Sequence, residues 1–280
     1  MTNPAFKFVR QLGEELAKGE FDLPPFPDTA LRVQRCVNDP NSGIQTLGAI
    51  VATEPALAAR IMRMANSALM RRGPMEVSDI NTAISRVGME MVLNAAVSFA
   101  AREAFKCPPG SPCVSDLNKL RQHSIKVAAL SYVIAQTSRF QGKPDEAMLA
   151  GLLHAVGKFY ILMKAADHPD LFTDREALGS LLAQWHTGVA RAIVESWNFP
   201  DSIALGVDEQ EIEERDRIAS ADLSDVLFIA NILASAGAKS AAELGNLDAL
   251  ARLRMTGEKL AEVLDEHDEA MQSMIQALGS

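Results

Sequence analysis

The chain has 280 residues, 48% hydrophobic and 22% charged, with a net charge of −9. That composition belongs to a globular protein with a sizeable core and argues against disorder. The acidic balance argues against wrapping nucleic-acid phosphates as a main task, since that needs a basic face.

Residues 1–20 are expected to form an N-terminal helix. They lack the basic stretch, apolar run and small-residue cleavage site of a signal peptide. No segment reaches about 18 consecutive apolar residues, so no membrane span is expected and the protein is expected to be cytoplasmic. After the stop "LPPFP", the stretch "PDTALRVQRCVND" reads as a helix closing before "PNSG". Over residues 57–68, Leu57, Ile61, Met64, Ala65 and Ala68 make one helical stripe, with Thr53 as N-cap and Pro55 in the first turn. Residues 60–72, "RIMRMANSALMRR", hold four arginines and no acid; this local basic patch leaves a DNA-binding regulator as an alternative reading. "SDINTAISRVG" runs from a Ser or Asp cap to Gly88, and "MEMVLNAAVSFAAREAF" continues to "KCPPGSPC". The methionines of these segments read as core filler rather than a binding groove.

The break at 107–113 is the best internal boundary, with helices of roughly 10 to 17 residues before it and longer ones after it. Cys107 and Cys113 flank "PPGSP", a loop able to bring two thiols together, but the three cysteines give neither an even disulfide framework nor four zinc ligands. Beyond it come "LNKLRQHSIKVAALSYVIAQTSRF", "AGLLHAVGKFYIL" and "ALGSLLAQWHTGVARAIVESW". In the last, Leu178, Leu182, Trp185, Val189 and Ile193 form a stripe with His186 beside it. Runs of strict alternation rich in β-branched and aromatic residues are missing, so the fold is expected to be all-α. His123, His154 and His186 thus stand on three helices, 31 and 32 residues apart, and a bundle could bring them together. A lone histidine on an apolar helix is as a rule a hydrogen-bonded packing residue, and spacing leaves both readings open. Glycine-rich P-loop spacing is absent.

The order of these blocks, a histidine on one helix, "AGLLHAVGK" on the next and a histidine after tryptophan about 30 residues later, resembles the HD superfamily of helical metal-dependent phosphohydrolases. Together with "LPPFPDTALRVQRCVNDP", "LGAIVATEPALAARIMRMANSA" and "VSDINTAISRVGMEMVLNAA" upstream, and "WHTGVARAIVESWNFPDSI" downstream, the chain more closely resembles the HDOD branch, over roughly residues 21–205. The resemblance implies an HD-like bundle with an N-terminal helical subdomain. The HDOD domain would cover 21–218 (21–106 and 115–218), with a C-terminal helical extension, 219–280, packed on the HD-like part.

Carried over by position, the first metal-binding histidine of catalytic HD proteins matches His123 and the histidine of the His-Asp pair matches His154. The aspartate of that pair falls on Ala155, the late aspartate on Asn231, and a third histidine on His186. Where the family often has a histidine pair, this chain has "VDEQEIEERD". Ala155 offers no donor and Asn231 only a neutral amide, so phosphate-ester hydrolysis by the family mechanism is not expected, and neither metal nor cofactor is expected. A metal held by His123, His154 and His186 is the minority reading, a phosphohydrolase with an altered ligand set being its catalytic form. Lys158, one turn after His154, suits an anion, although an ordinary surface lysine is the alternative. Residues 208–217 hold six acids against two arginines, a solvated face, a docking surface for a basic partner or a self-association surface of a homo-oligomer.

The resemblance thus implies a non-catalytic module in bacterial signal transduction, working through protein–protein contacts. Its partners would be response regulators or cyclic-dinucleotide enzymes, its output motility or virulence, and its oligomeric state is left open.

Overall fold

A computed structural model describes residues 8, 10, 13, 14, 25–67, 70, 76–214, 220–245 and 247–279. The expected helix over 1–20, Ala68, and the ends of the basic stretch 60–72 and the acidic stretch 208–217 lie wholly or partly outside the described residues.

From residue 25 to the 107–113 loop the described residues form α1 (Asp28–Asn38), α2 (Ile44–Ala52), α3 (Pro55–Ala65), α4 (Ile80–Val87) and α5 (Met89–Ala104), the N-terminal part. No β-strand occurs among the described residues. Pro55 opens α3 as expected, but Glu54 precedes it and Thr53 is not its cap. Thr53 instead closes α2, its hydroxyl donating to the Ile50 carbonyl at 2.7 Å, a use of the side chain that competes with capping forward. Asp79 does cap α4, accepting from the Thr82 amide at 2.9 Å, and Gly88 ends it with φ +94°, a conformation that favours glycine.

After the 107–113 loop come α6 (Val114–Thr137), α7 (Pro144–Leu153), α8 (Val156–Ala165), the one-turn α9 (Asp170–Thr173), α10 (Arg175–Ser196), α11 (Asp201–Glu209) and α12 (Leu223–Ala236). A 3-10 turn (Ala238–Glu243), α13 (Asp248–Leu253), α14 (Gly257–Glu266) and α15 (Asp268–Gly279) complete it. Only α6 and α10, with 24 and 22 residues, are long; the break does not separate short helices from long ones throughout. The apolar run continues through His154, but the backbone turns there, so α7 and α8 are two helices.

Helix α6 lies between α7 and α12, and α8 packs on α10, which in turn meets α11. Helix α5 touches α7 and joins the N-terminal part to this bundle. Helix α15 lies against α6 and also against α3 and α5, so the C-terminal extension spans both parts. The stretch Pro144–Ala165 is long and apolar enough to cross a membrane by length and composition, yet 83% of its most apolar window is buried as the α7–α8 core.

The carboxylate of Asp225 and the guanidinium of Arg252, each 1% exposed, tie α12 to α13 through contacts of 2.9 and 2.6 Å. Breaking such a dry pair costs far more than losing a surface ion pair.

Two glycines set the helix spacing. A Cβ on Gly151 would lie 2.6 Å from Ala128 Cα, so α7 and α6 meet backbone to backbone. On Gly157 it would overlap the His186 carbonyl oxygen and crowd the Ala190 nitrogen, so α8 and α10 touch the same way. Gly157→Ala is expected to destabilise the protein by about 3 kcal/mol, read as a lower urea midpoint. Gly179→Ala, with open space around it on α10, should be neutral or stabilising by up to about 1 kcal/mol.

Candidate functional site

The small residues that let α7 and α8 approach their neighbours also enclose His154, at the turn between them and 1% exposed. Its Nδ1–H donates to the Gly151 carbonyl at 2.7 Å, which fixes the tautomer. Burial, with His123, Lys158 and His186 nearby, lowers its pKa to about 3. His154 is therefore a neutral imidazole. Its backbone carbonyl accepts from Gln210 Nε2 at 2.8 Å, which anchors the residues after α11 over the site.

His123, on α6, has its ring centroid 5.5 Å from that of His154. Its Nε2–H donates to Asn231 Oδ1 on α12 at 2.7 Å. Burial lowers its pKa, partly opposed by that bond. His186 is fully buried on the apolar stripe of α10 itself, not beside it. Its Nε2–H donates to Glu211 Oε1 at 2.8 Å, while Nδ1 is buried without a partner. Burial lowers the His186 pKa despite the carboxylate. With Nε2–H donated outward, the orphan Nδ1 is a bare acceptor, which suits a neutral ring.

Lys158 leans into the same place, its Nζ 3.4 Å from Glu211 Oε1 and a quarter exposed. Glu211 thus accepts from His186 and faces an ammonium, and its pKa falls to about 2, chiefly through the His186 bond. Ala155 is fully buried next to His154 and supplies a methyl group. A cleft of about 240 Å³ opens between α6 and α8, bordered by His123, Lys158, Leu162 and Leu182.

The structure therefore gathers His123, His154, His186, Lys158 and Asn231, and adds Glu211. The sequence places Glu211 in an acidic run, and its composition hides the inward turn. Asp225, the carboxylate nearest Asn231 in sequence, is turned away to Arg252. The arrangement fits a metal poorly. Glu211 is shared between His186 and an ammonium, the Asp116 carboxylate that borders the cleft is paired with Arg175, and Ala155 has no donor. Among the described residues no three His, Cys, Asp or Glu side chains are grouped to hold an ion. Elsewhere, the Cys107 and Cys113 sulfurs lie 3.0 Å apart as free thiols.

Fold and site together define a protein of the HD-like architecture, helical throughout its described regular structure. The chain belongs to the HDOD family: the HDOD domain matches residues 23–212. It superposes on a candidate metal-dependent phosphohydrolase from Shewanella amazonensis SB2B with a TM-score of 0.76 at 24% identity, covering 97% of this chain and 99% of that one. A candidate signal transduction protein from Marinobacter aquaeolei VT8 gives a TM-score of 0.68 at 22% identity, covering 99% and 66%. These likenesses establish the fold alone. An uncharacterized protein from Treponema pallidum (strain Nichols) is 20% identical over 202 residues, 69% of this chain. The match spans only 38% of that relative's length.

The buried imidazoles make stability depend on pH. The unfolded chain protonates histidine near pH 6.5, whereas folded His154 resists protonation down to about 3. Below 6.5 the unfolded state binds more protons, so stability is full above that pH and falls as pH drops. His123 and His186 act in the same direction. Urea unfolding between pH 7.5 and 5 should show a decline to which His154 alone contributes a slope approaching about 1.4 kcal/mol per pH unit, with His123 and His186 adding to it. His154→Gln should make it shallower.

Proposed function

We propose that this chain is a non-catalytic HDOD signalling module that works by binding a protein partner. The observation that carries this reading is how the candidate ligands are occupied. His123 bonds Asn231, His186 bonds Glu211, Lys158 sits among them, and Ala155 stands beside His154. Hydrolysis by the HD mechanism needs carboxylates to hold and bridge its cations and an open position for water. An ammonium and a methyl group supply neither.

A regulatory role is supported by family membership and by the name of the Marinobacter protein. The family resemblance favours response regulators or cyclic-dinucleotide enzymes as partners. Near Glu211 in sequence, Leu205 and Ile212 are the large hydrophobic residues most exposed among those described, at 44% and 49%, and suit such contacts. Glu213 and Glu214 follow Ile212 and are exposed. A partner with an apolar anchor in a basic surround fits this patch. Glu211, one residue before Ile212, reaches His186, so docking here would be felt in the pocket. The basic segment favours a DNA-binding reading less, because Arg60 is 2% exposed and faces inward.

Purified protein, assayed with Mn²⁺ or Fe²⁺ on cyclic dinucleotides and nucleotides, should show no turnover above the His154→Ala variant. Stoichiometric metal with turnover abolished by that substitution would replace this reading with the phosphohydrolase one. A partner recovered from native lysate and then purified should bind Glu213→Lys/Glu214→Lys at least about tenfold more weakly, since like charges would replace complementary ones. Unchanged affinity would remove this surface from the reading.

A further inference from the structure

A second pocket lies away from the histidines. On α6, residues 116, 119, 120 and 123 border the histidine cleft, whereas 118, 121, 122 and 125 border a cavity of about 340 Å³. Those sets fall on opposite sides of one helix. The cavity is walled by α3, α5, α6 and the end of α15, with Leu152 of α7 and Phe159 of α8 at its floor.

Three guanidinium groups line it, those of Arg60, Arg102 and Arg121, and none of the described lining residues is acidic. In a chain of net charge −9, three cations brought together from three helices need a physical reason. Arg60 is 2% exposed and donates to Ser98 Oγ at 3.3 Å. Burial, then Arg102 and Arg63, lowers its pKa to about 10. Arg121 is held by the Phe105 carbonyl at 2.7 Å and the Asn118 side chain at 2.9 Å, neutral partners that orient its charge without cancelling it. Its Nε is buried without a partner. The nearby carboxylate, Glu103, is 3.9 Å from Arg102 and is shared with Lys106. Ser124 is 4% exposed, and its hydroxyl has no hydrogen-bond partner.

We propose that this cavity is a binding site for a small phosphorylated organic molecule. Its phosphate would lie among Arg60, Arg102, Arg121 and the Ser124 hydroxyl, and its organic part would rest on Leu152 and Phe159. Guanidinium forks match the oxygens of a phosphate, and a group of two negative charges offsets the mutual repulsion of the arginines. The Arg121 Nε and the Ser124 hydroxyl are buried donors without partners beside the cavity, and a shift of these side chains on binding would bring them to an oxyanion. The volume accommodates a small organic phosphate and excludes a macromolecular chain.

The test uses the full chain and isothermal titration with pyrophosphate, phenyl phosphate and succinate at matched ionic strength. Expected are saturable 1:1 binding of the phosphates, weaker binding of succinate, and affinity falling between about 50 and 200 mM NaCl. Arg102→Ala, at a partly exposed side chain, should weaken binding at least about tenfold, and Ser124→Ala severalfold. Neither should lower the melting temperature of the free protein, because Arg102 is partly solvated and Ser124→Ala removes an unsatisfied buried hydroxyl. Lys119→Ala, on the opposite side of α6, should leave binding unchanged. Absence of saturable phosphate binding, tighter binding of succinate than of either phosphate, or binding indifferent to Arg102→Ala and Ser124→Ala would each overturn the assignment.

Discussion

Close backbone contact at Gly151 and Gly157 is the constraint on which the rest of the bundle depends. With α7 against α6 and α8 against α10 at that distance, water is excluded from the turn between α7 and α8, where His154 sits. A dry imidazole flanked by other bases and an ammonium must stay neutral, and its one strong donor is used on the Gly151 carbonyl. The packing that forms the core thus fixes both the protonation state and the tautomer of the residue at the centre of the candidate site.

The surrounding groups complete one another without an ion. The His123 proton is met by an amide oxygen and the His186 proton by a carboxylate, and that carboxylate is balanced by Lys158. Internal pairs of this kind hold geometry, set the imidazole tautomers and take up the negative charge that a cation would need. The result is a stiff polar cluster linking α6, α8, α10 and α12 with the segment after α11. Because Glu211 belongs both to that cluster and to an exposed acidic stretch, the surface and the interior are mechanically joined at one side chain.

Helix α6 stands between two chemically different pockets, one of neutral imidazoles and one of guanidinium groups. The second lies at the seam between the N-terminal helices and the HD-like bundle, closed from outside by α15. Charge concentrated at a seam between packed parts couples their relative position to whatever neutralises it, whereas a surface patch of the same charge would be screened by salt.

Sequence alone determined the helical class and several helix boundaries of the N-terminal part, because these depend on local periodicity, capping and punctuation. Asp79, Pro55 and Gly88 mark boundaries through interactions within one turn, and the methyl group at Ala155 is visible as a letter. The split of "AGLLHAVGKFYIL" into two helices was hidden, since an apolar run looks the same whether it bends or continues. Thr53 misled for a related reason: its hydroxyl can serve the helix behind it or the one ahead, and only the backbone decides. Composition placed Glu211 among solvated acids and four arginines on a basic surface. The tertiary structure brought Glu211 against His186 and buried Arg60 against Ser98, because long-range packing, unlike periodicity, chooses which charged side chains meet the interior.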